Sequence, residues 1–121
     1  NDSLSININQ ATLINYVGHN GLMDFKLNSY PSRANDTQRK ISVLACMSSQ
    51  YYNEGIKISK SIPYVWTTSY MAPEAYTLHA IINSWMKNES GPKAQEVAAQ
   101  AYNKYQRCGV NGARNLFKSG F

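Results

Sequence analysis

The chain has 121 residues and a formal net charge of +5, from 12 basic and 7 acidic side chains. With 43% hydrophobic and 12% aromatic residues, it has the apolar content of one folded domain rather than the high charge and low hydrophobicity of a disordered chain. The apolar runs fall far short of the roughly 18 residues that a membrane-spanning helix needs, and the basic residues are dispersed, so we expect neither a membrane span nor a nucleic-acid partner.

The first part of the chain predicts strands. A polar start predicts a flexible N-terminal segment over 1–11, followed by one domain over 12–121. Three short apolar segments then predict strands at 12–18, 41–46 and 62–67. The connection between the first two strands shows no helical period and is rich in turn residues.

Helices are predicted between and after these strands. A short helix follows the second strand, with Ser48-Ser49 as its cap and Gly55 as its end. Two longer helices follow Pro73 and Pro92, because proline suits a first helical turn, and a last short helix is predicted over 113–117. Apolar residues at intervals of three and four mark one buried face on each long helix. These residues are Ala75, Leu78, Ile81, Ile82 and Trp85 on the first, and Ala94, Val97, Ala98, Ala101 and Tyr105 on the second.

Strands that alternate with helices predict an α/β domain with a mainly parallel sheet. Three strands would make a thin sheet, because sheets usually contain about 5 or 6. We therefore expect N-terminal strands that are missing or that another segment or a partner chain supplies. An unpaired edge strand would otherwise invite aggregation.

Two of the predicted strand ends carry reactive side chains. The first strand runs out into His19, and the second ends at Cys46. In open α/β sheets the functional residues gather at the carboxyl ends of the strands, so parallel neighbours would bring this imidazole and this thiol to one edge. A thiol just before a helix N-terminus is favoured as the thiolate, and a nearby histidine can serve as its general base. Backbone N–H groups at Asn20 or Gly21 could face a developing oxyanion, and Asp24 is near enough in sequence to orient the imidazole.

Each of these residues also has a plain structural interpretation. Cysteine is among the most buried residue types, and a histidine beside glycine is common in loops. Trp66, Thr67 and Thr68 lie at the end of the third strand. They either form a wall of a substrate pocket, or Trp66 packs in the core while Thr67 and Thr68 cap the next segment. The sequence has only two cysteines, which leave a disulfide open. No cofactor is expected, and the lack of a His/Cys ligand pattern predicts no metal site.

The order of these motifs resembles the caspase-like superfamily of cysteine peptidases, which includes caspases, metacaspases, gingipains, separases and CHAT domains. The segments 14–19 (Ile-Asn-Tyr-Val-Gly-His) and 43–48 (Val-Leu-Ala-Cys-Met-Ser) are similar to its strands that end in His-Gly and in Ala-Cys or Ser-Cys. A strand ending at Trp66, a long helix opened by Glu74 and an Ala-rich helix then follow in the CHAT order. The resemblance covers roughly residues 12–107.

The resemblance implies a three-layer α/β/α domain that hydrolyses peptide bonds in a peptide or protein substrate. It implies Cys46 as the nucleophile and His19 as the general base, with the backbone at Asn20 and Gly21 in the oxyanion hole and the substrate pocket near 66–68. The family usually has glycine directly after the histidine, whereas Asn20 intervenes here. Two alternatives stay open, namely a catalytically silent relative that acts as a binding or scaffold module, and an unrelated α/β domain with a buried structural cysteine.

Overall fold

Four strands form one mixed sheet in this computed structural model, which describes residues 10–121. The strands are β1 (Leu13–Val17), β2 (Lys40–Leu44), β3 (Ile62–Thr67) and β4 (Phe117–Lys118), in the spatial order β1-β2-β3-β4. The first three pair in parallel, and β4 pairs antiparallel with β3. Because β4 has only two residues, it is too short to show the alternation of apolar and polar residues that predicts a strand. Most of the flexible segment predicted over 1–11 lies outside the described residues.

Five α-helices lie between or after these strands in residues 10–121. Between β2 and β3 lie α1 (Ser48–Tyr51) and α2 (Asn53–Ser59), and after β3 come α3 (Ala75–Met86), α4 (Gly91–Gln106) and α5 (Val110–Leu116). The predicted α/β class is therefore confirmed, with a sheet that is mixed rather than wholly parallel.

The sheet has a hydrophobic core on each of its two faces. On one face Leu44 of β2 packs in a cluster with Ile81 of α3 and Ala98 of α4. On the other, Val43 packs in a separate cluster with Ile56 of α2. Successive side chains of a strand point to opposite faces, so these two neighbours in β2 belong to different cores. Both faces of β2 are buried at its carboxyl end, which explains the apolar residues Val43 and Leu44 there.

The predicted boundaries of the short helix after β2 were wrong. Gly55 lies inside α2, where an added Cβ would come within 2.8 Å of Cε1 of Tyr30, so the glycine permits a close approach instead of ending the helix. The N-cap of α1 is Met47, in a left-handed conformation with φ of 52°. Ser48 is buried, and its hydroxyl donates to the carbonyl of Val43 at 2.8 Å.

The two long helices begin close to their prolines, but two positions predicted on their buried faces, Ala75 and Tyr105, are exposed. The helix α3 begins two residues after Pro73, and the hydroxyl of Ser90 caps α4. Tyr105 is 56% exposed, whereas Tyr102 is 7% exposed and meets Phe117 edge-on with ring centroids 5.4 Å apart. Tyr102 is buried because it packs against the C-terminal strand. The helical period of the sequence carries no information about this contact.

Candidate functional site

His19 and Cys46 lie past the carboxyl ends of two adjacent parallel strands. Val17, which ends β1, is the register partner of Leu44, which ends β2. The N–H of Gly18 donates to the carbonyl of Leu44 at 3.1 Å and extends this pairing by one residue. The histidine and the cysteine each follow by two residues, so the structure places them at equivalent positions on one edge of the sheet.

Asn20 links the loop that carries the histidine to the backbone of the cysteine. Its side chain is fully buried, its amide nitrogen donates to the carbonyl of Cys46 at 2.6 Å, and its Oδ1 accepts the N–H of Leu22 at 3.0 Å. This amide orientation is the one in which nitrogen faces an acceptor and oxygen faces a donor. The sequence predicts only a backbone role for Asn20, together with Gly21, which begins a short 3-10 turn. The side-chain link has no local signal, because its partner is 26 residues away.

The imidazole of His19 pairs with the carboxylate of Asp24. Its Nε2 lies 2.5 Å from Oδ2 of that residue, and the two side chains are 71% and 65% exposed. The hydroxyl of Tyr16 donates to the carbonyl of His19 at 2.7 Å and holds the backbone of the loop. A carboxylate beside an imidazole fixes the orientation of the ring, which is useful in a general base.

The thiol of Cys46 is partly buried and faces the backbone of the segment after β3. Its Sγ lies 3.4 Å from the nitrogen and 3.5 Å from the carbonyl oxygen of Met71. Both Cys46 and Cys108 are free, and Cys108 is exposed. The thiol and the imidazole therefore share an edge of the sheet, while their hydrogen-bond partners in this structure are different residues.

Two of the three residues predicted to line a substrate pocket are buried. Trp66 is 0% exposed, and its indole N–H donates to the carbonyl of Gly120 at 2.9 Å. Thr67 is also 0% exposed and makes two hydrogen bonds with Ser48. Its N–H donates to the Ser48 hydroxyl at 2.9 Å, and its hydroxyl accepts the N–H of Ser48 at 3.2 Å. Thr68 is partly exposed, and its hydroxyl donates to a carbonyl in α5. The indole and the Thr67 hydroxyl hold the core together and present no surface to a substrate.

An apolar cavity of about 520 Å³ lies beside the loop that follows the histidine. It is formed by β1, β2, α2 and the connection between the two strands, and no charged residue lines it. Two of its lining residues, Phe25 and Leu27, are 57% and 46% exposed. The sequence reasoning missed this cavity. The sequence feature that could have indicated it is the presence of large apolar side chains in a connection that has no helical period.

Two tyrosines form a neutral wall of this cavity. The rings of Tyr16 and Tyr52 have centroids 6.3 Å apart, and both residues line the cavity. Burial raises the pKa of Tyr52 above its ordinary value of 10.0, and the neighbouring Tyr16 raises it further. Both factors favour the uncharged phenol. The cavity thus presents carbon and neutral hydroxyls to any ligand.

Residues 10–121 contain neither a candidate metal site nor a candidate membrane span. In this range no group of three or more His, Cys, Asp or Glu side chains could hold a metal ion. None of the helices in the same range combines the length and the apolar character that crossing a membrane requires.

No family model, curated protein or solved structure matches this chain.

Proposed function

We propose that this chain is a caspase-like cysteine peptidase domain that hydrolyses peptide bonds with Cys46 as nucleophile and His19 as general base. The observation that supports the proposal most strongly is the equivalent position of these two residues beyond paired, parallel strand ends. Nucleophile and base on neighbouring strand ends can act on one substrate bond, because both loops open on the same crevice. The pair of His19 with Asp24 keeps the imidazole at this edge of the sheet in the resting state.

In the proposed reaction His19 removes the proton of the Cys46 thiol, and Sγ attacks the carbonyl carbon of the scissile peptide bond. The resulting oxyanion is stabilised by backbone N–H groups beside Asn20 and Gly21. The protonated imidazole then gives its proton to the leaving amine as the C–N bond breaks, which leaves a thioester. Water, deprotonated by the same imidazole, hydrolyses the thioester and releases the acid and the free thiol.

The proposed reaction requires the imidazole to turn from Asp24 towards the sulfur. The ring of His19 is 71% exposed, so its rotation displaces no packed side chain. Asn20 meanwhile holds the two backbones at fixed separation through its bond to the carbonyl of Cys46. Catalytic hydrogen bonds are often long or misaligned without substrate and tighten when the substrate binds, so the resting partners of the two groups are compatible with this movement.

A catalytically silent caspase-like binding or scaffold module is the second candidate function. It is favoured by the resting hydrogen bonds, because the sulfur lies against the backbone of Met71 and the imidazole against Asp24. In either form a caspase-like domain would have a further segment or partner chain alongside β1. Among the described strands, β1 stands at one end of the strand order and pairs only with β2.

A cleavage assay with a fluorogenic peptide library separates the two functions. We expect the unmodified chain to cleave a subset of peptides, and Cys46→Ala to abolish cleavage. His19→Ala should lower the rate by about 10²–10⁴, the usual contribution of a general base. Cys108→Ala is the matched control and should keep full activity, because that thiol lies on the exposed surface. Cleavage that survives Cys46→Ala would refute the proposal, and peptide binding without cleavage would favour the silent module.

A further inference from the structure

We infer that the apolar cavity beside the histidine loop is the substrate pocket, and that it accepts one large, uncharged, apolar side chain of a peptide. This inference rests on the proposed peptidase function and moves the substrate site away from Trp66 and Thr67, which are buried. It also names the class of substrate, which the sequence leaves open.

Several residues that line the cavity are close in sequence to the proposed catalytic residues or are linked to them by one hydrogen bond. Gly21 and Leu22 line it, and they directly follow Asn20, whose side chain binds the carbonyl of Cys46. On the other strand, Val43 lines the cavity three residues before the cysteine. A side chain seated here therefore places its own backbone near the edge where the thiol lies.

The dimensions and chemistry of the cavity select the type of side chain. Its volume of about 520 Å³ lies within the usual range of ligand pockets, roughly 300–1,000 Å³. An ionised side chain placed here would lose its hydration without gaining an opposite charge, which is costly. Aromatic and large aliphatic side chains lose only unfavourable contact with water. The neutral phenols of Tyr16 and Tyr52 fit the same preference.

A second groove favours a peptide over a small molecule as the occupant. It has a volume of about 340 Å³ and shares four lining residues with the apolar cavity, namely Leu22, Phe25, Leu27 and Tyr30. Unlike the first, it is also lined by charged and amide side chains, those of Lys26, Gln50 and Glu54. Gln50 belongs to α1, which begins two residues after Cys46. A peptide can therefore place one side chain in the apolar cavity and its polar main chain along this groove.

The mouth of the cavity offers substitutions that leave the cores intact. Phe25 and Leu27 are both more than 40% exposed, at 57% and 46%, and exposed apolar side chains gathered around one opening mark a binding surface rather than chance scatter. Met86, at 72% exposure on α3, is an exposed apolar residue that does not line either cavity. It provides a matched control.

The test measures binding separately from cleavage. Fluorescein-labelled blocked hexapeptides that differ at one central position, Phe, Leu, Glu or Lys, are titrated into the full chain carrying Cys46→Ala, and anisotropy gives the Kd. We expect the Phe and Leu peptides to bind at least tenfold more tightly than the Glu and Lys peptides. Phe25→Ser and Leu27→Ser should each weaken the Phe peptide about tenfold, and Met86→Ser should leave its Kd within twofold.

Equal binding of all four peptides, or an equal loss in Met86→Ser, would overturn the pocket assignment. Tight binding of neutral N-acetyltryptophanamide in place of any hexapeptide would also overturn it, in favour of a small apolar ligand. If the Phe peptide binds as expected but the unmodified chain does not cleave it, the pocket stands and the peptidase function fails. If the chain cleaves all four peptides equally, the peptidase function stands and the pocket fails.

Discussion

Replacing Asn20 with alanine should destabilise the fold and separate the two loops of the candidate site. The side chain is 0% exposed and makes two hydrogen bonds, to the carbonyl of Cys46 at 2.6 Å and from the N–H of Leu22 at 3.0 Å. Alanine leaves both backbone groups without their partner. Each unsatisfied buried group costs about 1–3 kcal/mol, so the loss of both hydrogen bonds should lower the free energy of unfolding by about 2–6 kcal/mol.

This loss is large beside a total stability of about 5–15 kcal/mol for a domain. It can be measured by urea unfolding followed through the fluorescence of Trp66, which is buried, and Trp85, which packs against the core. The control is Asn83→Ala on the exposed surface of α3, which should change the stability by less than about 0.5 kcal/mol. A loss below that value in Asn20→Ala as well would show that the link does not hold the loops together.

The variant Asn20→Asp gives the same link a pH signature. It replaces the amide nitrogen that lies 2.6 Å from the carbonyl oxygen of Cys46 with an oxygen that repels it when ionised. The folded state therefore raises the pKa of the new carboxyl above its unfolded value of about 3.9. A group with a raised pKa contributes its stability below the unfolded pKa and loses it as the pH rises through the folded pKa. The deficit relative to the unmodified chain should grow between acidic and neutral pH, and a constant deficit would refute the orientation of the amide.

Three further predictions concern the rest of the structure. Thr67→Val removes the hydroxyl that accepts the N–H of Ser48 and should lower the free energy of unfolding by about 1–3 kcal/mol. Thr67→Ser keeps a hydroxyl and should retain most of the stability. Equal losses in the two variants would contradict the hydrogen-bond account. Hydrogen bonding to Arg114 lowers the pKa of Glu96 from 4.5 to about 2, so its contribution is present above pH 4.5 and lost as the pH falls towards 2. Thermal unfolding of Glu96→Gln should lack this dependence, and an unchanged pH profile would contradict it. Burial raises the pKa of Tyr52 above 10.0, so its contribution is full below pH 10 and is lost as the pH rises through the raised value. Tyr52→Phe should be less sensitive to alkali, and an identical alkaline transition would refute this.

The elements that the sequence predicts well are those whose pattern is local. Short, mostly apolar segments located β1, β2 and β3, because a strand with both faces covered needs mainly apolar residues. The helical period together with Pro92 located α4. The shared position of His19 and Cys46 follows from these strands, since parallel neighbours end at one edge.

The features that the sequence did not predict depend on distant contacts. Tyr102 rather than Tyr105 is buried because it meets Phe117 from the C-terminal strand. The side chain of Asn20 finds its partner 26 residues away. The same holds for Trp66, whose indole bonds a carbonyl at residue 120 and is thereby removed from the surface where a substrate would lie.

The rate at which iodoacetamide labels the two thiols tests the proposed nucleophile most directly. Cys108 is exposed and Cys46 is only partly exposed, so access alone would make Cys108 the faster thiol. The proposal predicts the opposite, because the thiolate is the reactive species and a neighbouring base increases its share. Near neutral pH, Cys46 should react much faster than Cys108, and its rate should fall in His19→Ala. Slow and equal labelling of both thiols, or faster labelling of Cys108, would contradict the account.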